Sequence, residues 1–401
     1  MLKGKVYVVV DGQAGSCGKG KVVGYIAREM NADVCINNNT PNAGHTFMFD
    51  DGRKVITTHL PMAVVNPTTE LLIGPGAAIN PTTLLREIEQ YSDLLGNRTV
   101  YIHERAAIVT DEHRVIERGT IKSGSTFKGT AASLCEKMMR KQGVVLAKDY
   151  NWNTNKIKIF NDDLIIDILE NDKSILVETS QGFDLDINHG LDYPHVTSRG
   201  CTVMQALADC GIPSNANVIT YMVFRPYPIR ISNQSEVGEV YSGDYDDSVE
   251  FQWEDIEAMS GCKNLIENTT VTKKIRRVFS FSYKRFYHAV TINNPNYLIL
   301  NFAQHLDTRI QGISDVSKLN RLYKKKGNIT YLEGTNPVLD FKKDIEREYG
   351  IPIAYIGTGA KESEQIDLLG NKKHYNNISP YEQDDYMEET GTSLTYSRRH
   401  F

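Results

Sequence analysis

The 401-residue chain has no C-x-x-C pair and no His/Cys cluster with zinc spacing. Its six cysteines, at 17, 35, 135, 201, 210 and 262, are scattered, which excludes a zinc ribbon or a dithiol centre and reads as free thiols in a reducing compartment. No apolar run approaches the roughly 18 residues of a membrane span. The stretch from Met1 to Val10 is too short, and too soon interrupted by Asp11, to read as a secretory leader, so a cytoplasmic protein is expected. An excess of positive charge is missing too. Lys plus Arg number 45 against 50 Asp plus Glu, a formal net charge of −5, which argues against a nucleic-acid partner. No Pro/Ser linker divides the chain and no internal repeat is visible, so its length permits one enlarged domain as readily as two.

What remains is the composition of a globular protein, 40% hydrophobic and 24% charged. The β-branched run from Lys5 to Val10, a glycine-rich turn and the helical spacing of Val22, Val23, Ile26 and Ala27 read as strand, loop and helix. Apolar runs recur at Ala32–Ile36, Leu71–Ile73, Ile175–Val177, Val218–Val223, Tyr297–Leu300 and Ile351–Ile356, with helix-like stretches such as Thr83–Tyr91 between several of them. This alternation predicts an α/β fold, a single large domain with a mostly parallel sheet flanked by helices over residues 1–370. Residues 371–401 are rich in Tyr, Asp, Glu and Asn without apolar periodicity and read as a polar surface tail.

The loop Gly12-Gln13-Ala14-Gly15-Ser16-Cys17-Gly18-Lys19-Gly20-Lys21 joins the first strand to the first helix, where backbone N–H groups suit phosphate oxygens. It is not a Walker A loop: five residues separate Gly12 from Gly18, and Gly20 stands where a magnesium-binding Ser or Thr would be. Read alone, it is either a phosphate cradle or a turn that packs the helix on the sheet.

Further segments resemble motifs of the adenylosuccinate synthetases, in that family's order, from about Val6 to Ile366. Asn42-Ala43-Gly44-His45-Thr46 is similar to the family's N-A-G-H-T element. The resemblance implies that His45 is the general acid and a phosphate contact, that Gly44 offers a carbonyl to magnesium, and that Asn42 meets the substrate nucleotide. Ser125 and Thr126 resemble part of the loop that binds the substrate phosphate. Glu178-Thr179-Ser180-Gln181-Gly182 resembles E-G-A-Q-G, and the run from Asp186 to Ser198 resembles D-H-G-x-x-P-Y-V-T-S-S. Gln181 would then contact the 6-position of the purine and Thr202 the substrate phosphate. Thr269, Thr270, Thr272, Arg276 and Arg277 resemble an aspartate-binding loop, a role that the bidentate fork of arginine suits. Arg140 falls where the family supplies an arginine across a dimer interface, so a homodimer is implied. In the glycine-rich loop the resemblance gives Gly15, Cys17, Gly18, Lys19, Gly20 and Lys21, with Gly44, His45 and Thr46, to the donor nucleotide. Lys19 would neutralise the transferring phosphate, and Mg²⁺ would lie near Ser16 and Gly44.

Two departures shift the expected substrates. The family's loop reads G-D-E-G-K-G-K, whose aspartate takes a proton from N1 of inosinate; Ser16 occupies that position and Cys17 follows it. A neutral serine is no general base without a partner, but removing the carboxylate opens space beside C2, where guanine carries an amine. This resembles the viral branch of the family, the 2-aminoadenylosuccinate synthetases, which act on dGMP, with the host cytoplasm as the expected setting. Asp11 is either a replacement base or the residue that orders the turn. The second departure lies in Leu300–Asp307, where Gln304 stands for the acid that holds guanine and Phe302 for a lysine. An amide pairs with an adenine edge, so ATP or dATP is expected as donor, closed over by Gly357 and Gly359. The rival readings are an ordinary adenylosuccinate synthetase using IMP and GTP, and a non-catalytic nucleotide-binding switch.

Overall fold

The structure is a computed structural model and describes residues 2–121, 125–235, 238–239, 242–268, 274–322 and 336–369. The tail expected at 371–401 lies outside them. The first strand, β1 (Lys5–Asp11), carries Val6, Val8, Val9 and Val10 with no exposed surface, which is the mark of a strand covered on both faces. It is central in a ten-stranded sheet. The other members are β2 (Val34–Asn37), β3 (Glu70–Ile73), β4 (Val100–His103), β5 (Ile157–Phe160), β6 (Ile175–Glu178), β7 (Asn217–Phe224), β8 (Tyr297–Leu300), β9 (Ile353–Gly357) and β10 (Gln365–Asp367). Their spatial order is β10-β9-β8-β7-β1-β6-β2-β3-β4-β5, parallel throughout except for β10 at one edge.

Every apolar run read from the sequence became a strand. Within this sheet the strands it missed are β4, β5 and β10. In β5 the polar Lys158 and the outward Ile159 dilute the apolar signal, as suits an edge strand. Between β7 and β8 a small antiparallel sheet forms from Ile229–Arg230, Glu250–Phe251 and Arg277–Phe279. A hairpin, His45–Met48 with Lys54–Thr57, packs on the first helix (Lys19–Glu29), where a Cβ on Gly24 would come within 2.3 Å of the Phe47 ring.

The order of connection reverses around β6, β1 and β7, so the carboxyl ends of these strands border a topological switch point, the usual seat of a ligand in such sheets. The segments that leave those ends hold Asp11 and the glycine-rich loop, Asn37 to His45, Glu178 to Gln181, Arg225, Asn301 to Gln304, and Gly357 to Gly359.

Candidate active site

In the glycine-rich loop Gly15, Ser16 and Gly18 all adopt left-handed backbone, with φ of 84°, 57° and 83°. Ser16 is exposed. Gly18 caps the first helix without a side-chain acceptor, and no acid occupies the first turn, so the positive end of an 11-residue helix is left for an anion. Asp11 orders this turn. Its buried carboxylate accepts from the Gln13 amide at 3.0 Å, the Cys17 amide at 3.2 Å and Lys19 Nζ at 3.1 Å. Both oxygens are therefore engaged, and of the two sequence readings of Asp11 the structural role is the one observed. Lys19 Nζ also donates to the Gln181 carbonyl at 2.5 Å, joining the loop to the segment after β6.

The side chains of two residues expected at the donor face elsewhere. The Cys17 thiol is fully buried on Gln13 Oε1 at 3.2 Å, and burial beside Asp11 pushes its pKa well up. Its amide is held by Asp11 and its carbonyl accepts from Asn301 Nδ2 at 2.6 Å, so no polar group of Cys17 is left for phosphate. Lys21 Nζ donates to the carbonyls of Gly359 at 2.7 Å and Glu364 at 2.6 Å, and burial lowers its pKa to about 8. It ties the helix to the loop after β9 instead of reaching forward.

His45 is buried, with Nδ1 on Glu178 Oε1. Glu178 has no exposure and its second oxygen accepts from the Met62 amide at 2.7 Å. A carboxylate that fixes one nitrogen of an imidazole sets which nitrogen carries the proton. Sequence reading quoted Glu178 within a motif and gave it no role. The hairpin that carries His45 approaches the first helix so closely that a Cβ on Gly20 would lie 2.7 Å from the Thr46 amide and 2.9 Å from His45 Cβ. Gly44 and Thr46 are exposed on either side of His45.

Of the residues assigned to the substrate nucleotide, Asn42 and Thr126 are brought together, Thr126 Oγ1 donating to Asn42 Oδ1 at 2.8 Å. Ser125 Oγ accepts from the Phe127 amide at 3.2 Å. Gln181 is left-handed, with φ 67°, and its carbonyl joins the glycine-rich loop by accepting from Lys19 Nζ. Thr202 caps the helix Val203–Asp209, accepting from the Gln205 amide at 3.3 Å. Arg140 stands exposed after the helix Thr130–Met138 and joins none of these bonds.

Thr269, Thr270 and Thr272 lie outside the described residues. The two arginines that follow them part company. Arg276 is partly buried; its amide donates to the Glu267 carbonyl at 2.9 Å and its carbonyl accepts from Trp253 Nε1 at 2.8 Å. Arg277 is fully occupied in the small sheet. Its Nε donates to Glu250 Oε1 at 2.9 Å, one terminal nitrogen to Glu250 Oε2 at 2.6 Å and to Asp244, and the other to Asn233 Oδ1, Ser242 Oγ and the Gly243 carbonyl. Carboxylates of the protein already take the fork that a clamp on aspartate would need.

At the donor-base end Gln304 sits in the short turn Ala303–His305. Its Oε1 is buried and meets no donor among the described residues, which suits an acceptor kept for a ligand. Asn301 is wedged between two glycines: a Cβ on Gly18 would lie 2.8 Å from its Nδ2, and one on Gly357 2.3 Å from its Oδ1. Gly359 is held over Glu364 in the same loop. Sequence reading also missed Arg225. It is completely buried, its guanidinium 4.2 Å from the Phe302 ring centroid and bidentate on Glu267. Among the described residues there is no group of three or more His, Cys, Asp or Glu that could hold a metal, and no helix long and apolar enough to cross a membrane.

The family model for adenylosuccinate synthetase matches residues 8–164 and 145–332. The N6-succino-2-amino-2'-deoxyadenylate synthase of Cyanophage S-2L is 35% identical over 306 residues, 74% of this chain and 82% of the relative. The enzyme of that name from Acinetobacter phage SH-Ab 15497 is 31% identical over 377 residues, covering 86% and 95%. Among solved structures, the succinoaminodeoxyadenylate synthetase of Cyanophage S-2L, bound to dGMP and to dATP as an energy donor, superposes with a TM-score of 0.75 at 31% identity, over 91% of this chain and 95% of that one. A fully ligated adenylosuccinate synthetase from Plasmodium falciparum, at 19% identity and a TM-score of 0.70 over 91% of this chain and all of its own, shares the fold. On motif order, sheet and relatives together, the chain belongs to the adenylosuccinate synthetase family, ligases that form a C–N bond.

Proposed function

We propose that the chain joins L-aspartate to C6 of dGMP, giving N6-succinyl-2-amino-deoxyadenylate, with ATP or dATP as phosphoryl donor. The product would feed 2-aminoadenine into phage DNA in the host cytoplasm. The observation that carries this reading is Ser16, an exposed left-handed residue of the glycine-rich loop where the family pattern has a carboxylate. A hydroxyl there leaves room for the 2-amino group and accepts from it. The phage relatives named for this reaction support it, as does the S-2L structure with dGMP and dATP.

The chemistry runs in two displacements. The γ-phosphoryl group moves to O6 of the guanine, with the loop amides neutralising its charge, Lys19 adding the one N–H that Asp11 and the Gln181 carbonyl leave over, and His45 presenting Nε2 to the phosphate. The amine of aspartate, held by Arg276, then attacks C6, and phosphate leaves with the O6 oxygen. Asp11 is unavailable as a base, so the N1 proton passes to the donor phosphate or to water. Gln304 accepts from the 6-amine of the donor adenine, and Asn42, Ser125, Thr126, Gln181 and Thr202 hold the substrate nucleotide. Ser16 Oγ and the Gly44 carbonyl, both at exposed positions, are neutral oxygens of a kind that Mg²⁺ accepts and would help to hold it. When bound, the ion spreads the charge of the donor's phosphates. Exposed Met138 and Met139 beside Arg140 suit a homodimer in which that arginine serves the partner's site.

The test supplies Mg²⁺, ATP or dATP, and L-aspartate with either dGMP or IMP, and reads the succinylated product by mass. Product from dGMP alone is expected; product from IMP alone would return the chain to adenine synthesis, and none from either would favour a nucleotide-binding switch. Ser16→Asp should lower turnover of dGMP, and unchanged turnover would remove the argument from space. The arginines also separate. Arg276→Leu should raise the KM for aspartate by about tenfold or more and leave nucleotide binding alone. Arg277→Leu should instead cost roughly 1–3 kcal/mol of stability, since its acceptors are partly exposed, with little change in that KM. Kinetics and urea unfolding of both variants decide, and the reverse pattern would restore Arg277 to the clamp.

A further inference from the structure

Three parts of the candidate site meet at Arg225, the residue that leaves the carboxyl end of β7. The side chain of Gln13, in the glycine-rich loop, holds its backbone from both sides: Gln13 Nε2 donates to the Arg225 carbonyl and the Arg225 amide donates to Gln13 Oε1, each at 3.0 Å. Its guanidinium lies against the ring of Phe302, a left-handed residue one position before the turn that carries Gln304. Its terminal nitrogens grip Glu267 at 3.0 and 2.5 Å.

Glu267 in turn fixes Arg276. The Arg276 amide donates to the Glu267 carbonyl at 2.9 Å, and the next pair, Asn268 and Ile275, forms an antiparallel bridge. These four residues make a two-rung ladder whose carboxylate is pinned to Arg225. A completely buried guanidinium would be costly unless paired, and Glu267 supplies the counter-charge, so the ladder cannot shift without stranding a charge.

We propose that Arg225 is a positioning residue that ties Arg276, through Glu267, to Gln13 of the glycine-rich loop, so that the geometry for the amino acid is coupled to that for the phosphoryl donor. It touches no substrate itself. The inference rests on the reading of Arg276 as the arginine that holds aspartate.

The experiment compares the wild type with Arg225→Lys, Arg225→Met and the double variant Arg225→Met/Glu267→Gln, which leaves no charge stranded if the single variant fails to fold. KM values for L-aspartate, donor and dGMP are measured, together with the Kd for aspartate with and without a non-hydrolysable donor analogue. The double variant is expected to fold, to raise the aspartate KM by about tenfold or more, to hold the dGMP KM within about twofold, and to lose the effect of the analogue on aspartate binding. Arg225→Lys should recover part of the loss, because it keeps the charge without the fork. An unchanged aspartate KM in the folded double variant, or an equal rise in all three KM values, overturns the proposal. If wild-type protein forms an aspartate adduct, the functional reading stands whatever the variants do; if it forms none, that reading fails and this one falls with it.

Discussion

Glu178→Gln is expected to lower kcat by about 10²–10⁴-fold while the KM for dGMP stays within a few-fold. Each oxygen of Glu178 has its own donor. One accepts from the Met62 amide at 2.7 Å, and the other faces His45 Nδ1 with Asn39 Nδ2 at 3.5 Å. A carboxylate accepts at both ends, so it favours a proton on Nδ1 and supports a positive imidazole when Nε2 also carries one. An amide accepts at one end only. Met62 claims that end, which turns the amide N–H₂ toward His45. Nδ1 must then be the acceptor, and the imidazole can no longer hold a second proton without two donors meeting. Shape and packing are nearly preserved, so a loss of turnover at intact nucleotide binding would mark His45 as a proton donor in the reaction. Turnover close to wild type, read in single-turnover assays with dGMP, would reduce the pair to a structural contact.

The sheet was legible in the sequence because a parallel strand buried on both faces appears as an uninterrupted apolar run, as in Val6–Val10 and Ile299–Leu300. The edge strand β5 was not, since half of it faces solvent. At the site, His45, Lys19 and Gln304 could be named because short motifs carry them. Their supporting residues could not. Glu178 lies 133 positions from His45, and Arg225 is 42 positions from Glu267, so neither pairing leaves a mark in local sequence. Arg276 and Arg277 show the complementary failure. Arg277 opens a strand and Arg276 precedes it, and only the surrounding acceptors, Glu250 and Asp244 for Arg277, reveal which of the two is already engaged. Cys17 and Lys21 sit within a phosphate-binding pattern, yet the partner of the Cys17 carbonyl, Asn301, and those of Lys21 Nζ, the carbonyls of Gly359 and Glu364, lie some 280 and 340 positions away. Spacing identifies a loop's chemistry; it does not say which of its residues the rest of the chain will claim.

Stability should fall steeply as pH drops from about 6.5 to 4, through two buried histidines. His59 has no exposure, and burial lowers its pKa to about 3; its Nε2 accepts from the Asn80 amide at 3.1 Å. His305 is lowered to about 4, by burial first and then by the charge of Arg225. Both are neutral in the folded chain and take up a proton near their ordinary pKa when it unfolds. Below about pH 6.5 the unfolded state therefore binds more protons, and the stability that these groups leave intact at neutral pH is lost as pH falls toward their folded values. The two losses are about 5 and about 3 kcal/mol at the acid limit, comparable with the whole stability of a typical domain. His103, lowered by burial, adds in the same direction, as does Glu267, whose pKa its pairing with Arg225 lowers. Glu87, which accepts from the His59 amide, and Asp184 are raised by burial and oppose the trend below about pH 5. Urea unfolding at pH 7, 6, 5 and 4.5 should give a steady decline with a net uptake of between one and two protons near pH 5. His59→Gln, which can still accept from Asn80, should remove one of them. A decline that is the same in wild type and variant would show that His59 is charged without cost where it lies, and would place the acid sensitivity elsewhere in the fold.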